Sequence, residues 1–161
     1  MQRIEGGCHC GTIRYEFLWP LDAAEIPVRA CSCSFCMKHR GTYTSHPQAE
    51  LHATLTDTAR VPTYRFGHET ADFYVCTRCG VLTFAVSRIA GRGEGARGKL
   101  PQRKSAVVNV HTFERIDPAS FTAHITNFDG ETPESRLARR QRTWTPTVRI
   151  THARKEESTE F

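Results

Sequence analysis

The chain has 161 residues, with 22 Lys and Arg against 17 Asp and Glu, for a formal charge of +5. That length suits one domain, and no apolar run approaches the 18 residues that a membrane-spanning helix needs. The opening Met1-Gln-Arg-Ile-Glu-Gly-Gly-Cys8 lacks the apolar centre of a secretory signal, so a cytoplasmic protein with no membrane partner is expected.

Residues 12–17 alternate strictly, with Ile13, Tyr15 and Phe17 on one face, and read as a half-buried strand. Pro20 and Pro27 bound a loop that leads to Cys31. Residues 34–40 read as a helical turn closed at Gly41, and residues 50–55 alternate again. Further strands are predicted at 63–66, 72–75, 81–87, 106–113 and, less regularly, 121–128. A helix rich in Arg and Glu is predicted at 133–141. The sequence therefore describes a mainly β domain of two twisted antiparallel sheets over residues 1–150, with a polar, frayed tail at 151–161.

The positive charge is concentrated. Arg88, Arg92, Arg97, Lys99, Arg103 and Lys104 surround a single acid, Glu94, so this Gly-rich window alone carries +5. It reads as a solvated loop insertion. It holds no aromatic residue on which a base could stack, which disfavours nucleic acid as a partner.

Seven cysteines carry the chemistry. They stand as Cys8-x-Cys10, Cys31-x-Cys33-x-x-Cys36 and Cys76-x-x-Cys79. An odd number cannot all pair within the chain, and short C-x-C and C-x-x-C spacings let two thiolates converge on one ion. Gly11 and Gly80 follow two of the pairs, where a turn with positive φ aims backbone N–H groups at sulfur. Zinc, which favours thiolates in tetrahedral sites, is the expected metal, and an iron–sulfur cluster, which usually wants four cysteines in a more compact run, is its competitor. Seven divides into a closed site of four and an open site of three. Spacing leaves the division open. Cys33, Cys36, Cys76 and Cys79 would form one ribbon. Alternatively Cys8 and Cys10 join Cys76 and Cys79, which leaves the compact trio of Cys31, Cys33 and Cys36. His9 and His39 are conceivable fourth ligands, though both suit a solvated turn.

Three segments resemble one family. Gly6-Gly-Cys8-His-Cys10-Gly-Thr-Ile-Arg-Tyr15, Cys31-Ser-Cys33-Ser-Phe-Cys36-Met-Lys-His-Arg-Gly41 and Phe73-Tyr-Val-Cys76-Thr-Arg-Cys79-Gly80 are similar to motifs of the glutathione-dependent formaldehyde-activating enzymes, whose domain is shared with centromere protein V. Val107-Val-Asn-Val-His111 and Phe128-Asp-Gly130 resemble the family's closing segments. The resemblance implies a twisted β fold like that of the zinc-bound Rab exchange chaperone. It also implies two zinc ions, a structural one on Cys8, Cys10, Cys76 and Cys79 and a catalytic one on Cys31, Cys33 and Cys36. Met37 and His111 stand where members often carry Arg, and Glu131 stands where an Arg-Asn-Trp run is common.

The activity implied is that of a carbon–sulfur lyase, adding glutathione or a similar thiol to formaldehyde or a related aldehyde. His39, three residues past Cys36, is the nearest candidate to protonate the developing alkoxide, and Lys38 and Arg40 are candidates to hold carboxylates. The competing expectation is a non-catalytic zinc module that binds or carries a thiol or a protein partner. Seven thiolates against two divalent ions lower the formal charge from +5 to about +2, so the metal-loaded body outside the basic window is mildly acidic.

Overall fold

In a computed structural model, residues 1–89 and 103–153 are described. The central part of the basic window, 90–102, and most of the expected tail, 154–161, lie outside them. The strands are β1 (Gln2–Gly7), β2 (Ile13–Trp19), β3 (Val28–Cys31), β4 (Thr42–Thr44), β5 (Glu50–Leu55), β6 (Thr63–Tyr64), β7 (Ala71–Val75), β8 (Leu82–Ile89), β9 (Arg103–Asn109), β10 (Ala123–Thr126) and β11 (Thr147–His152). Two helices, α1 (Ser34–His39) and α2 (Pro133–Thr143), and four short 3-10 turns join them. Neither helix is long or apolar enough to cross a membrane.

Four strands form one sheet in the order β1-β2-β5-β11, and seven form the other in the order β10-β3-β4-β9-β8-β7-β6. The two-sheet β architecture is as expected, but the sheets are mixed. β10 runs parallel to β3, and β11 runs parallel to β5. Parallel neighbours need long crossovers, and here each partner returns from the far end of the chain to cap a sheet edge. The strand expected at 106–113 ends at Asn109. There the Asn109 side chain accepts from the His111 N–H and starts a 3-10 turn. β11 takes up Thr151 and His152, so the ordered domain extends past residue 150.

Alternation decides which faces meet. Ile13, Tyr15, Phe17 and Trp19 on β2 and Leu51, Ala53 and Leu55 on β5 bury their side chains against Phe84, Val86, Ala106 and Val108 of the second sheet. Each large apolar side chain so buried contributes about 1.5–3 kcal/mol. The other face of β8 and β9 presents Ala85 and Val107, which pack with Cys36, Tyr43 and Trp144 in a second cluster. The seven-stranded sheet is therefore covered on both sides. Its outer cover is α2 together with the loop of the cysteine trio.

The start of α2 follows from local chemistry. Thr132 accepts from the Ser135 N–H, Pro133 occupies the first turn, and Arg140 and Arg142 lie in the last turn. The helix is tied down by Arg140, which is only 7% exposed. One of its nitrogens, Nη1, donates to the Thr70 carbonyl, the Thr70 hydroxyl and the Ser87 hydroxyl at 3.1, 2.8 and 3.1 Å.

Candidate metal centre

Two turns of the same design bring four cysteines together. Between β1 and β2, Gly11 at φ +81° donates to the Cys8 carbonyl, and the Ile13 N–H points at the Cys8 sulfur from 3.2 Å. Between β7 and β8, Gly80 at φ +75° donates to the Cys76 carbonyl at 2.7 Å. The first turn belongs to one sheet and the second to the other. Cys10 sulfur lies 3.6 Å from that of Cys8 and 3.5 Å from that of Cys76, and all four sulfurs of Cys8, Cys10, Cys76 and Cys79 fall within 4.8 Å of one another. Sulfurs about 2.3 Å from a tetrahedral zinc stand about 3.8 Å apart, so the donors fit such an ion with small adjustments.

The second cluster is local. Cys31 ends β3, Cys33 caps α1, and Cys36 lies in its first turn, with the three sulfurs again within 4.8 Å of one another. No fourth sulfur or His joins them among the described residues. The division into four and three is the one the resemblance implied. α1 closes at Arg40, which adopts the left-handed conformation at φ 50°, rather than at Gly41. Gly41 is required for another reason: a Cβ there would meet the Tyr43 hydroxyl and ring. That hydroxyl lies 3.3 Å from the Cys36 sulfur and is the donor to it when the sulfur is a thiolate.

Without metal the sulfurs differ. The Thr12 hydroxyl draws Cys10 down to about 6, whereas burial pushes Cys8 up to about 12. In the trio, hydrogen bonding from Cys36 brings Cys31 down to about 6, and the same contact together with burial pushes Cys36 up. In each cluster, hydrogen bonding thus favours the thiolate form of one sulfur.

The trio opens on a cavity of about 90 Å³. Phe66, Phe73, Val107 and Trp144 supply apolar walls, and Arg29, Arg136, Arg139 and Arg140 supply charge. Arg139 grips Glu131 through two bonds of 2.7 and 2.8 Å and lies 3.6 Å over the Phe128 ring. Arg136 donates to the Phe128 carbonyl at 2.6 Å. Burial lowers Arg29 and Arg140 to about 10, with neighbouring arginines adding to the effect, so both remain cationic at neutral pH.

A model of the family described as glutathione-dependent formaldehyde-activating enzyme matches residues 3–119. The chain belongs to this family. The match takes in all seven cysteines and stops before α2. The crystal structure of a Rhodobacter sphaeroides protein is similar to it in fold, with a TM-score of 0.51 and 23% identity over 76% of this chain and 99% of that one.

Other residues singled out in the sequence sit elsewhere. His39 packs its ring on Phe35, with 4.7 Å between centroids, and is not among the residues lining the cavity. Lys38, Arg40 and Met37 are exposed and do not line it either, and His9 and His111 are exposed on turns. The cations at the trio come instead from α2 and β3. Sequence reasoning passed over them because α2 is about a hundred residues beyond Cys31. The available signal was its run of arginines, preceded by Glu131 at a departure from the family pattern.

Proposed function

We propose that this family member is a zinc-dependent carbon–sulfur lyase, joining a glutathione-like thiol to formaldehyde or a related aldehyde and cleaving the product in reverse. The observation that carries the reading is the inequality of the two clusters. Four sulfurs close around one point between the sheets, while three gather at the wall of a cationic cavity. Cys8, Cys10, Cys76 and Cys79 would hold a structural ion, and Cys31, Cys33 and Cys36 a second with one position open. When bound there, zinc supplies acidity to an incoming thiol and a fixed place for its sulfur.

The chain's own residues do the rest. Tyr43 fixes the Cys36 sulfur through its hydroxyl. Phe66, Phe73 and Trp144 limit water in the cavity. As the thiol sulfur bonds to the carbonyl carbon, the C=O π pair moves onto oxygen, and the guanidinium groups of Arg29 and Arg139 face the negative charge that develops. The sulfur's proton leaves to solvent and the alkoxide takes one up, so thiol and aldehyde sum to a hydroxyalkyl thioether. His39 would have to leave Phe35 to deliver that proton. All seven cysteines are free, which suits the reducing cytoplasm.

The test compares adduct formation from glutathione and formaldehyde for zinc-loaded wild type and Cys36→Ser at equal folded concentration. The lyase reading expects wild type well above the buffer rate and Cys36→Ser close to it. A wild-type rate equal to buffer, with thiol still bound, would leave only the carrier reading.

A further inference from the structure

Three buried donors at the cavity lack hydrogen-bond partners among the described residues, and one of them, Arg136 Nε, stands 3.7 Å from the Glu131 carboxylate. The other two, Nε of Arg140 and Nε1 of Trp144, make no hydrogen bond among the described residues, although both side chains are only 7% exposed and both line the cavity beside the cysteine trio. Leaving such donors dry costs more than a neutral pair returns. The two side chains also touch, since the Arg140 guanidinium carbon lies 4.6 Å over the Trp144 ring. Among the described residues, the acids at this cavity are Asp129, in its lining, and Glu131, beside Arg136 and Arg139, against the guanidiniums of Arg29, Arg136, Arg139 and Arg140. Glu131 is already committed to Arg139. A zinc on three thiolates would add one more negative charge, which still leaves one positive charge unmatched. The donors and the surplus charge ask for the same thing, an acceptor with one negative charge.

We propose that Arg140 and Trp144 form a carboxylate subsite, so that one reactant at the trio carries a carboxylate within a few bonds of its sulfur or its carbonyl. The proposal rests on the trio being the reactant site. Both donors are covered as the side chains stand, so the carboxylate reaches them as Arg140 and Trp144 shift, one oxygen accepting from Nε and the other from Nε1. Size limits the reactant: a cavity of about 150 Å³ takes benzene, so 90 Å³ encloses only a few heavy atoms and the remainder projects outward. The subsite belongs to α2 and the residue that caps it, beyond the 3–119 family match. It would therefore set this chain's own preference within a shared reaction.

The carboxylate could arrive on the thiol or on the aldehyde, and matched pairs separate the two. Affinity of the zinc-loaded protein is measured by calorimetry for 3-mercaptopropionate and 3-mercapto-1-propanol. Adduct formation from 3-mercapto-1-propanol is then compared for glyoxylate and formaldehyde, each relative to its buffer rate. One of the two pairs should favour the carboxylate by about ten- to a hundredfold, the range for hydrogen bonds to a charged group. Trp144→Phe, which keeps the ring, should shrink that preference several-fold, and Arg140→Lys should shrink it further. Because Arg140 also anchors α2, the Trp144→Phe result stands if Arg140→Lys fails to fold. No preference in either pair, with formaldehyde still converted, overturns the subsite and leaves the lyase reading intact. A preference that survives Trp144→Phe undiminished also overturns it, since it would come from the metal or from the other arginines of the cavity. Neither thiol bound by a zinc-loaded trio would overturn both readings.

Discussion

Replacing Cys76 by Ser should unfold the protein, whereas replacing Cys36 should not. Cys76 is fully buried, and its turn is one of two that tie the sheets together through sulfur. Structural zinc contributes an apparent 10–16 kcal/mol in small peptides, against a total stability of about 5–15 kcal/mol for a typical domain. Even half of that contribution, about 5–8 kcal/mol, matches the whole stability of a domain in the lower part of that range. Cys36 is as buried, but Cys31, Cys33 and Cys36 lie within one six-residue segment and join no distant elements. A serine there costs about 1–3 kcal/mol for an imperfectly satisfied hydroxyl, or about 2–12 °C in a chain of this length. Far-UV circular dichroism with metal analysis reads both outcomes. Cys76→Ser is expected to be insoluble or to lack a cooperative melt. Cys36→Ser should melt cooperatively and retain one zinc. A soluble Cys76→Ser protein with an unchanged melting temperature would refute the reasoning.

Two smaller perturbations probe the surroundings of the trio. Gly41→Ala puts a methyl group against the buried Tyr43 ring and hydroxyl, so it should cost about 1–3 kcal/mol in chemical denaturation and lower activity by displacing the hydroxyl from Cys36. Hydrogen bonding from Arg139 holds the Glu131 carboxyl below its ordinary range. Its stabilisation is therefore complete above the unfolded value near 4.3 and is lost as pH falls through the lower folded value. Glu131→Gln should remove about 1 kcal/mol at pH 7 and flatten the acid limb of stability below about pH 4.3, as read by denaturation at a series of pH values.

The sequence carried the site further than it carried the sheets. Cysteine spacing admitted two divisions into four and three, and only folding, which brings Cys8 and Cys10 onto Cys76 and Cys79, shows the one adopted. Strands β2 and β5 were legible because one face of each is buried and the other is not. No strand is expected at β1, whose last two residues, Gly6 and Gly7, carry no side chains to continue an alternation. Gly6 is in fact small so that the Tyr15 ring and the Thr112 carbonyl can approach it. β3 and β11 are an inner and an edge strand whose parallel partners come from the other end of the chain, and local periodicity carries no record of a distant partner. The same blindness to distance explains the cations. Lys38, His39 and Arg40 are adjacent to Cys36 in sequence, whereas Arg139 and Arg140 reach the cavity only because α2 docks on Thr70 and Ser87.

X-ray absorption at the zinc edge, recorded with and without thiol, addresses the central claim that one of two ions keeps a position open. A closed site of four sulfurs and an open site of three average to about 3.5 sulfurs per zinc, with the remainder oxygen, and saturating thiol should raise the average to about 4. An average of four sulfurs before thiol, or one that does not change when thiol is added, would contradict the account.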